Sequence, residues 1–454
     1  MEYCRHGGSM ERPRYALFTA IPFVGHLNPL LRQAAELAQR GWRVAVATHE
    51  EIRGHVEGKH LGVEHVSLGS YGPMAQTVEQ LEGEATLDPS FIRGAAAILE
   101  WLNGLWPSMF DGLRTAVRND RPDVLIADLF AAAAIDVADA EGIPVAVNDA
   151  DLLGSLSVEI LPPADHLPLP LTRQSRYQIG PMRRILQPLS RRLSALSFSW
   201  IVGRRLNAHR RSRGLAAVDA NTRLRDRLVL VNSAFGLEYP RPLPPLIQMV
   251  GPMLPEVIDS LPEDYASWLS EGPPVVYANL GTVALASERF LSVLGEGFAA
   301  EDFRVLWGLR QSQHALLPAR LPDNLRVEAW VPSPVGILAH PNVKAFVSHC
   351  GINSVHESLH AGTPIVGIPL FGDQRDMGFR VQDAGVGLSL DKSRLTSADL
   401  RQAIRRVLSD ASFGRRIPAI QSSFALAGGV RRAADLIEHL AAVGVAHYVE
   451  RRSR

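Results

Sequence analysis

Residues 330–374 carry chemistry-bearing side chains at spacings that suit one composite ligand: WVPSPVGILAHPNVKAFVSHCGINSVHESLHAGTPIVGIPLFGDQ. The apolar run 343–347 is short, rich in β-branched and aromatic residues, and followed at once by loop residues. That pattern predicts a buried parallel strand whose carboxyl end delivers His349. Gly351 then permits a close backbone approach, and Asn353 and Ser354 are residue types that favour a helix start. The free amides and positive dipole end of such a start attract a diphosphate, to which His349, Asn353 and Ser354 would add side-chain donors. Glu357, four residues after Asn353 on the same helical face, is placed to accept hydrogen bonds from a ribose. Trp330 follows the short strand expected over 325–329 and offers a flat face to a nucleobase. After a second strand-like run, 364–368, Asp373 and Gln374 lie in a Gly-containing loop where they can meet sugar hydroxyls. Base, ribose, diphosphate and sugar together describe a nucleotide sugar.

In this order the elements W, H-C-G-x-N-S, E, A-G-x-P and D-Q resemble the signature box of family 1 glycosyltransferases, the UDP-glycosyltransferases of plants, bacteria and animals. The resemblance implies that His349 contacts the β-phosphate, Asn353 and Ser354 the α-phosphate, Glu357 the ribose, and Asp373 with Gln374 the donor sugar. Val331, Ser333 and Gly351 belong to the same expected donor-binding set. One departure stands out: the usual plant box has Gln three residues after the Trp, whereas here Ser333 and Pro334 occupy that neighbourhood and the Trp-to-His spacing is one residue longer.

Transfer to an alcohol needs a base, a clamp for the leaving diphosphate and aim at the anomeric carbon. His26, in PFVGHLNP after the first expected strand, is the candidate base, because an imidazole acts near neutral pH. Asp128, in VLIADLF at another strand end, is the candidate partner that orients it. The family resemblance implies the same pair through its G-H-x-N-P and A-D-x-F contexts. A second anion site is expected at Leu280, Gly281 and Thr282, a turn after a strand resembling the family's S-x-G-[ST] turn. Asp149 and Asp151 form a D-x-D pair, read as an acceptor-loop or turn feature because it lies away from the nucleotide box. No metal and no cofactor are expected, the UDP-sugar being a co-substrate, since helix amides, His349 and hydroxyls can neutralise the diphosphate.

The elements that must position these groups alternate. Strand 15–20, loop 21–28, a helix from Pro29 to Arg40, Gly41 as its stop and strand 43–48 make a βαβ unit. Further strands are expected at 123–127, 144–147 and 228–232, with a helix at 131–141, which gives a doubly wound sheet. Residues 71–110 and 152–213 read as mostly helical, with a Pro-rich loop at 161–170. A second α/β half opens with strand 274–279, helix 287–300 and strand 304–307. Four parts are expected: an acceptor-binding Rossmann-like domain at 1–240, a semi-extended linker at 241–273, a nucleotide-sugar-binding Rossmann-like domain at 274–430, and a terminal helix and tail at 431–454. Two facing α/β domains match the GT-B architecture the resemblance implies, with the terminal helix packing back on the first.

At 454 residues the chain suits two domains, and 47 basic against 47 acidic residues leave no global field to recruit nucleic acid or an anionic membrane. Arginines cluster locally over 173–213 and read as solvated faces of amphipathic helices. Two cysteines, Cys4 and Cys350, far apart, suit a reducing cytoplasm. The polar first residues lack a signal-peptide core, Met10 is a candidate start, no membrane span is visible, and the tail lacks the anchor of animal relatives. The leading reading is an inverting O-glycosyltransferase moving a sugar, glucose first, from a UDP-sugar to a small lipophilic acceptor such as a phenolic, macrolide or terpenoid. The alternatives are a UDP-sugar epimerase on the same architecture and a non-catalytic nucleotide-sugar-binding partner.

Overall fold

A computed structural model describes residues 13–59, 61–71, 91–156, 160–164, 166–168, 174–281, 287–318 and 320–444. Two parallel sheets organise them. The first contains β1 (Tyr15–Thr19), β2 (Arg43–Thr48), β3 (Glu64–Ser67), β4 (Val124–Asp128), β5 (Val145–Asp149), β6 (Leu228–Val231) and β7 (Ile247–Met249) in the order β3-β2-β1-β4-β5-β6-β7. The second contains β8 (Val275–Asn279), β9 (Arg304–Gly308), β10 (Leu325–Glu328), β11 (Val343–Ser348), β12 (Ile365–Gly367) and β13 (Gly387–Ser389) in the order β10-β9-β8-β11-β12-β13. Both are all-parallel in their pairings, so helices must cover both faces, and the central strands are apolar on both.

Alternate residues of β1 show how this works. Tyr15 and Leu17 pack with Trp106, Phe110 and Leu113 of the helix Phe91–Asn119, while Ala16 and Phe18 pack with Leu27 and Leu30 of the helix Val24–Gln39. The helix Gly429–Val443 joins the latter layer through Ala433, Ala434, Ile437 and Leu440, and is fixed there by Arg40 to Asp435 (2.7 Å) and Trp42 Nε1 to Glu438 (3.0 Å). The chain's last described helix thus returns to the first domain.

Three expectations change. The first helix starts at Val24, not Pro29, so His26 lies in its first turn, one residue before the fully buried Leu27, rather than in a loop. Residues 241–273 are not simply an extended connector: β7 adds an edge strand to the first sheet, and Glu263–Ser270 is helical with Leu269 buried. The frequent prolines there stop the chain around these elements without excluding them. Finally, β3 and β13 were not visible in the pattern, because β3 is largely solvent-facing and β13 spans three residues.

In each sheet the strand order reverses once beside its first strand in the chain: β1 has β2 on one side and β4 on the other, and β8 has β9 on one side and β11 on the other. Crevices for ligands form at the carboxyl ends of such strand pairs.

Candidate active site between the two sheets

The first crevice holds His26 and Asp128. Asp128 is the last residue of β4, fully buried, and His26 enters from the helix that follows β1; His26 Nδ1 lies 2.9 Å from Asp128 Oδ2. The other carboxylate oxygen accepts the Phe130 amide at 2.9 Å, so the acid is held at both ends. A carboxylate on Nδ1 keeps the proton there and leaves Nε2 as the basic nitrogen. Burial pulls the His26 pKa down, but the charge of Asp128, its hydrogen bond and the charge of Asp151 outweigh this and leave it above the ordinary 6.5. Phe130 meets the imidazole edge-on at 5.3 Å between ring centroids, Phe23 lies 6.3 Å away, and Trp101 packs on Phe23 at 4.9 Å. The buried Trp101 Nε1 has no hydrogen-bond partner.

The second crevice holds His349, delivered by β11. Beyond it Cys350 takes φ 63°, a left-handed conformation costly for a residue with a Cβ. Its buried sulfur fits because β12 ends in Gly367, where a Cβ would stand 2.3 Å from Sγ. The turn sets the His349 ring between two glycines: a Cβ on Gly281 would approach Nε2 to 3.0 Å, and one on Gly351 to 2.4 Å. Gly281 also needs φ +89°, and its amide donates to Asn279 Oδ1 at 2.8 Å, which draws the β8 turn against the imidazole. Burial pushes the His349 pKa down to about 4, so it is a neutral donor at pH 7. Thr282, the third residue of this expected anion site, lies outside the described residues.

The helix Ile352–Ala361 begins at Gly351, whose backbone is extended and which offers no side-chain cap. Its first-turn amides therefore face outward without a side-chain acceptor. Asn353 and Ser354 stand in this turn rather than before it. Asn353 Nδ2 donates to the Gly25 carbonyl at 2.8 Å, across the cleft. That carbonyl would pair with the amide of residue 29 in an uninterrupted helix, and Pro29 has none. One turn on, Glu357 has its pKa raised by burial, opposed by Arg32 and Lys59. Arg32 follows Gly25 by seven residues on the same helical face, so the two helices meet through Gly25 with Asn353 and Arg32 near Glu357.

Asp373 and Gln374 open the helix Gln374–Ala384. Gln374 Oε1 accepts the amides of Leu370 (2.9 Å) and Phe371 (3.2 Å), fixing the loop and leaving Nε2 toward other partners. Asp373 shares a hydrogen bond with Asp151 of the first domain; burial, then the Asp151 charge and that bond, hold its pKa well above the usual 3.8. Asp151 thus links His26, whose pKa it raises, to the loop expected to hold the sugar. It was read from sequence as an acceptor-loop or turn feature, and its D-x-D spacing was the available signal. Arg32, Phe23 and Asn279 gave no such signal.

Trp330 is 71% exposed after β10, its face open to stacking, and its carbonyl accepts Tyr265 Oη at 3.3 Å. Val331 is buried, and Ser333 Oγ caps the helix Pro334–Leu338 through the Gly336 amide at 3.1 Å. Where the plant box has Gln nearby, this chain uses its polar side chain for capping.

The two crevices face one another across a cleft closed by paired groups. Buried Glu238 accepts Arg380 at 2.9 Å and the Leu153 amide at 2.8 Å, Tyr239 Oη donates to Asp383 at 2.7 Å, and Ser233 Oγ lies 3.2 Å from His356 Nε2.

Comparisons with known proteins agree with this two-domain arrangement. The family model for UDP-glucoronosyl and UDP-glucosyl transferase matches residues 209–423. UDP-glycosyltransferase 1 of Phaeomoniella chlamydospora is 31% identical over 376 residues, 78% of this chain and 76% of that protein. The 4'-demethylrebeccamycin synthase of Lentzea aerocolonigenes is 29% identical over 93% of this chain and 99% of its own. Among solved structures, the glycotransferase of kitacinnamycin superposes with a TM-score of 0.70 at 23% identity, over 94% of this chain and 99% of that one. VinC in complex with DTDP gives 0.67 at 20% identity, over 95% and 100%. With its GT-B pair of α/β domains and these relatives, the chain belongs to the UDP-glycosyltransferase family and is a glycosyltransferase.

Proposed function

We propose that the protein is an inverting O-glycosyltransferase that moves glucose from UDP-glucose to a hydroxyl of a small lipophilic acceptor. The observation that carries this reading is the 2.9 Å contact between His26 Nδ1 and buried Asp128, set one residue from the cleft contact of Gly25 with Asn353. With Nδ1–H held by Asp128, Nε2 takes the proton of the acceptor hydroxyl as its oxygen bonds the anomeric carbon. The bond from that carbon to the diphosphate oxygen breaks, and UDP leaves with the electron pair. A single displacement inverts an α-linked donor to a β-glycoside. The imidazolium formed on His26 is stabilised by Asp128.

The leaving diphosphate would meet the uncapped amides of the helix Ile352–Ala361, neutral His349 and the Gly281 turn, with Thr282 assigned to the same turn. Glu357 is assigned to the ribose, Trp330 to the base, and Asp373 and Gln374 to the sugar. A protonated Asp373 can donate to a hydroxyl, a role its raised pKa favours. Neither a metal nor a cofactor is required by this scheme. Phe23 and Phe130 beside His26, with Trp101 behind them, favour an aromatic or otherwise lipophilic acceptor. The name 4'-demethylrebeccamycin synthase, carried by a relative aligned along nearly its whole length, is consistent with a natural-product acceptor.

The test is a screen of phenolic, macrolide and terpenoid alcohols with UDP-glucose, read by product mass and anomeric configuration. A β-glucoside is expected. Turnover of UDP-glucose to another sugar nucleotide without acceptor, or UDP binding with no product from any acceptor, would contradict the proposal.

A further inference from the structure

The helix Pro181–Phe198 continues through a π turn, Ser199–Gly203, into the helix Arg204–Ser212. Met182, Leu186, Leu189, Leu193, Leu196 and Trp200 follow one another at steps of four, three, four, three and four residues, which places them in one stripe. An amphipathic helix ordinarily turns such a stripe toward the core. This one does the reverse. Leu189, Leu193 and Leu196 are exposed, as are Ile185 at 74% and Trp200 at 69%. The opposite, polar side is what holds the helix to the domain. Gln187 donates to the Leu167 carbonyl, Arg191 to the Leu161 carbonyl at 3.0 Å, and Asn221 to the Ala195 carbonyl at 3.1 Å and Ser199 Oγ at 2.8 Å. The helix is therefore fixed with its leucines outward.

Charge decides what can cover them. Between Asp165 and Asp219 the sequence has eleven arginines and no acidic residue. Arg183 and Arg192 border the stripe, one on each side, and with Arg204 they are exposed and have no acidic partner among the described residues. Two copies of this helix laid together would set arginines against arginines, so a second molecule of the same chain is disfavoured. An apolar stripe with an aromatic residue near its end, flanked by arginines whose stems can lie along it while their heads reach outward, is suited to a surface that is apolar below and anionic above.

We propose that the outer face of residues 181–204 docks the protein on an anionic lipid surface, with the leucine stripe and Trp200 entering the acyl boundary and Arg183, Arg192 and Arg204 meeting the headgroup phosphates. No described helix is long and apolar enough to cross a membrane, so the contact is peripheral. It rests on surface geometry and charge, not on the transfer chemistry.

The test is flotation of the full chain with vesicles of phosphatidylcholine alone or mixed with phosphatidylglycerol. Binding is expected on the mixed vesicles only, and it should weaken with added salt. Leu189→Glu with Leu193→Glu should abolish it, and Arg183→Glu with Arg192→Glu should lower the partition about tenfold or more. Both variants alter exposed side chains and should keep the wild-type melting temperature, which separates loss of docking from loss of fold. Absence of wild-type binding, equal binding to neutral vesicles, or a wild-type dimer in solution that the Leu189→Glu, Leu193→Glu variant converts to monomer would each overturn the proposal.

Discussion

Glu357 shows what a single side chain can and cannot disclose from sequence. Its place four residues after Asn353 was legible because helical spacing fixes which residues share a face. The Arg32 guanidinium opposing its burial was not, since Arg32 comes from the other domain. If Glu357 accepts from the ribose, the wild type should prefer UDP-glucose to dTDP-glucose, which lacks one hydroxyl. A charged hydrogen bond is worth about 1.5–3 kcal/mol, so Glu357→Ala should weaken UDP-glucose by roughly tenfold or more and narrow the ratio between donors. Apparent affinities for both donors, measured on both proteins, check this. An unchanged ratio would remove Glu357 from the ribose.

The elements show where pattern reading held and where it failed. The run 343–347 predicted β11 because a strand buried on both faces has to be apolar throughout. Pro29 was a poorer guide: proline suits a first helical turn, but here it lies farther in, and the carbonyl it leaves unpaired is met by Asn353. Residues 173–213 were read only as amphipathic helices with solvated arginine faces, and composition does not say that the leucines of 182–200 also turn outward. At the turn between β11 and the helix Ile352–Ala361, Gly351 has φ −62° and ψ 138°, which alanine adopts without strain. Gly351→Ala should therefore act only through its Cβ, 2.4 Å from His349 Nε2, by displacing the ring. UDP affinity should fall about tenfold, and the melting temperature should drop modestly from crowding the clamped ring. Calorimetric titration and thermal denaturation read the two effects, and unchanged UDP affinity would take His349 away from the diphosphate.

At the scale of the whole molecule, the two doubly wound halves were readable from alternating strands and helices, but their mutual placement was not. It depends on pairs far apart in sequence, such as Glu238 with Arg380, Tyr239 with Asp383, and Arg40 with Asp435. The Asp151–Asp373 pair is such a contact and an unfavourable one when both acids are charged. A carboxyl group whose folded pKa is raised costs stability as pH climbs above its ordinary value of 3.8, and that cost is absent at lower pH. Asp151→Asn removes the neighbouring charge, so its melting temperature should exceed wild type at pH 7, with the gain shrinking as pH falls toward 3.8. An equal gain at both ends of that range would show that the pair is not the cause.

The placement of His26 beside Asp128, at the mouth of this cleft, carries the account of catalysis. A base must be unprotonated to act, and His26 is held above its ordinary 6.5, so activity should be lost as pH falls through a value higher than 6.5. The most direct measurement is kcat/KM against pH for an alkyl alcohol acceptor, in wild type and in His26→Ala, with UDP affinity measured on both. The expected result is a wild-type acid limb above pH 6.5 and a variant slower by roughly 100-fold or more, without that limb and with UDP affinity nearly intact. Undiminished turnover in the variant, or the same acid limb in both proteins, would contradict it.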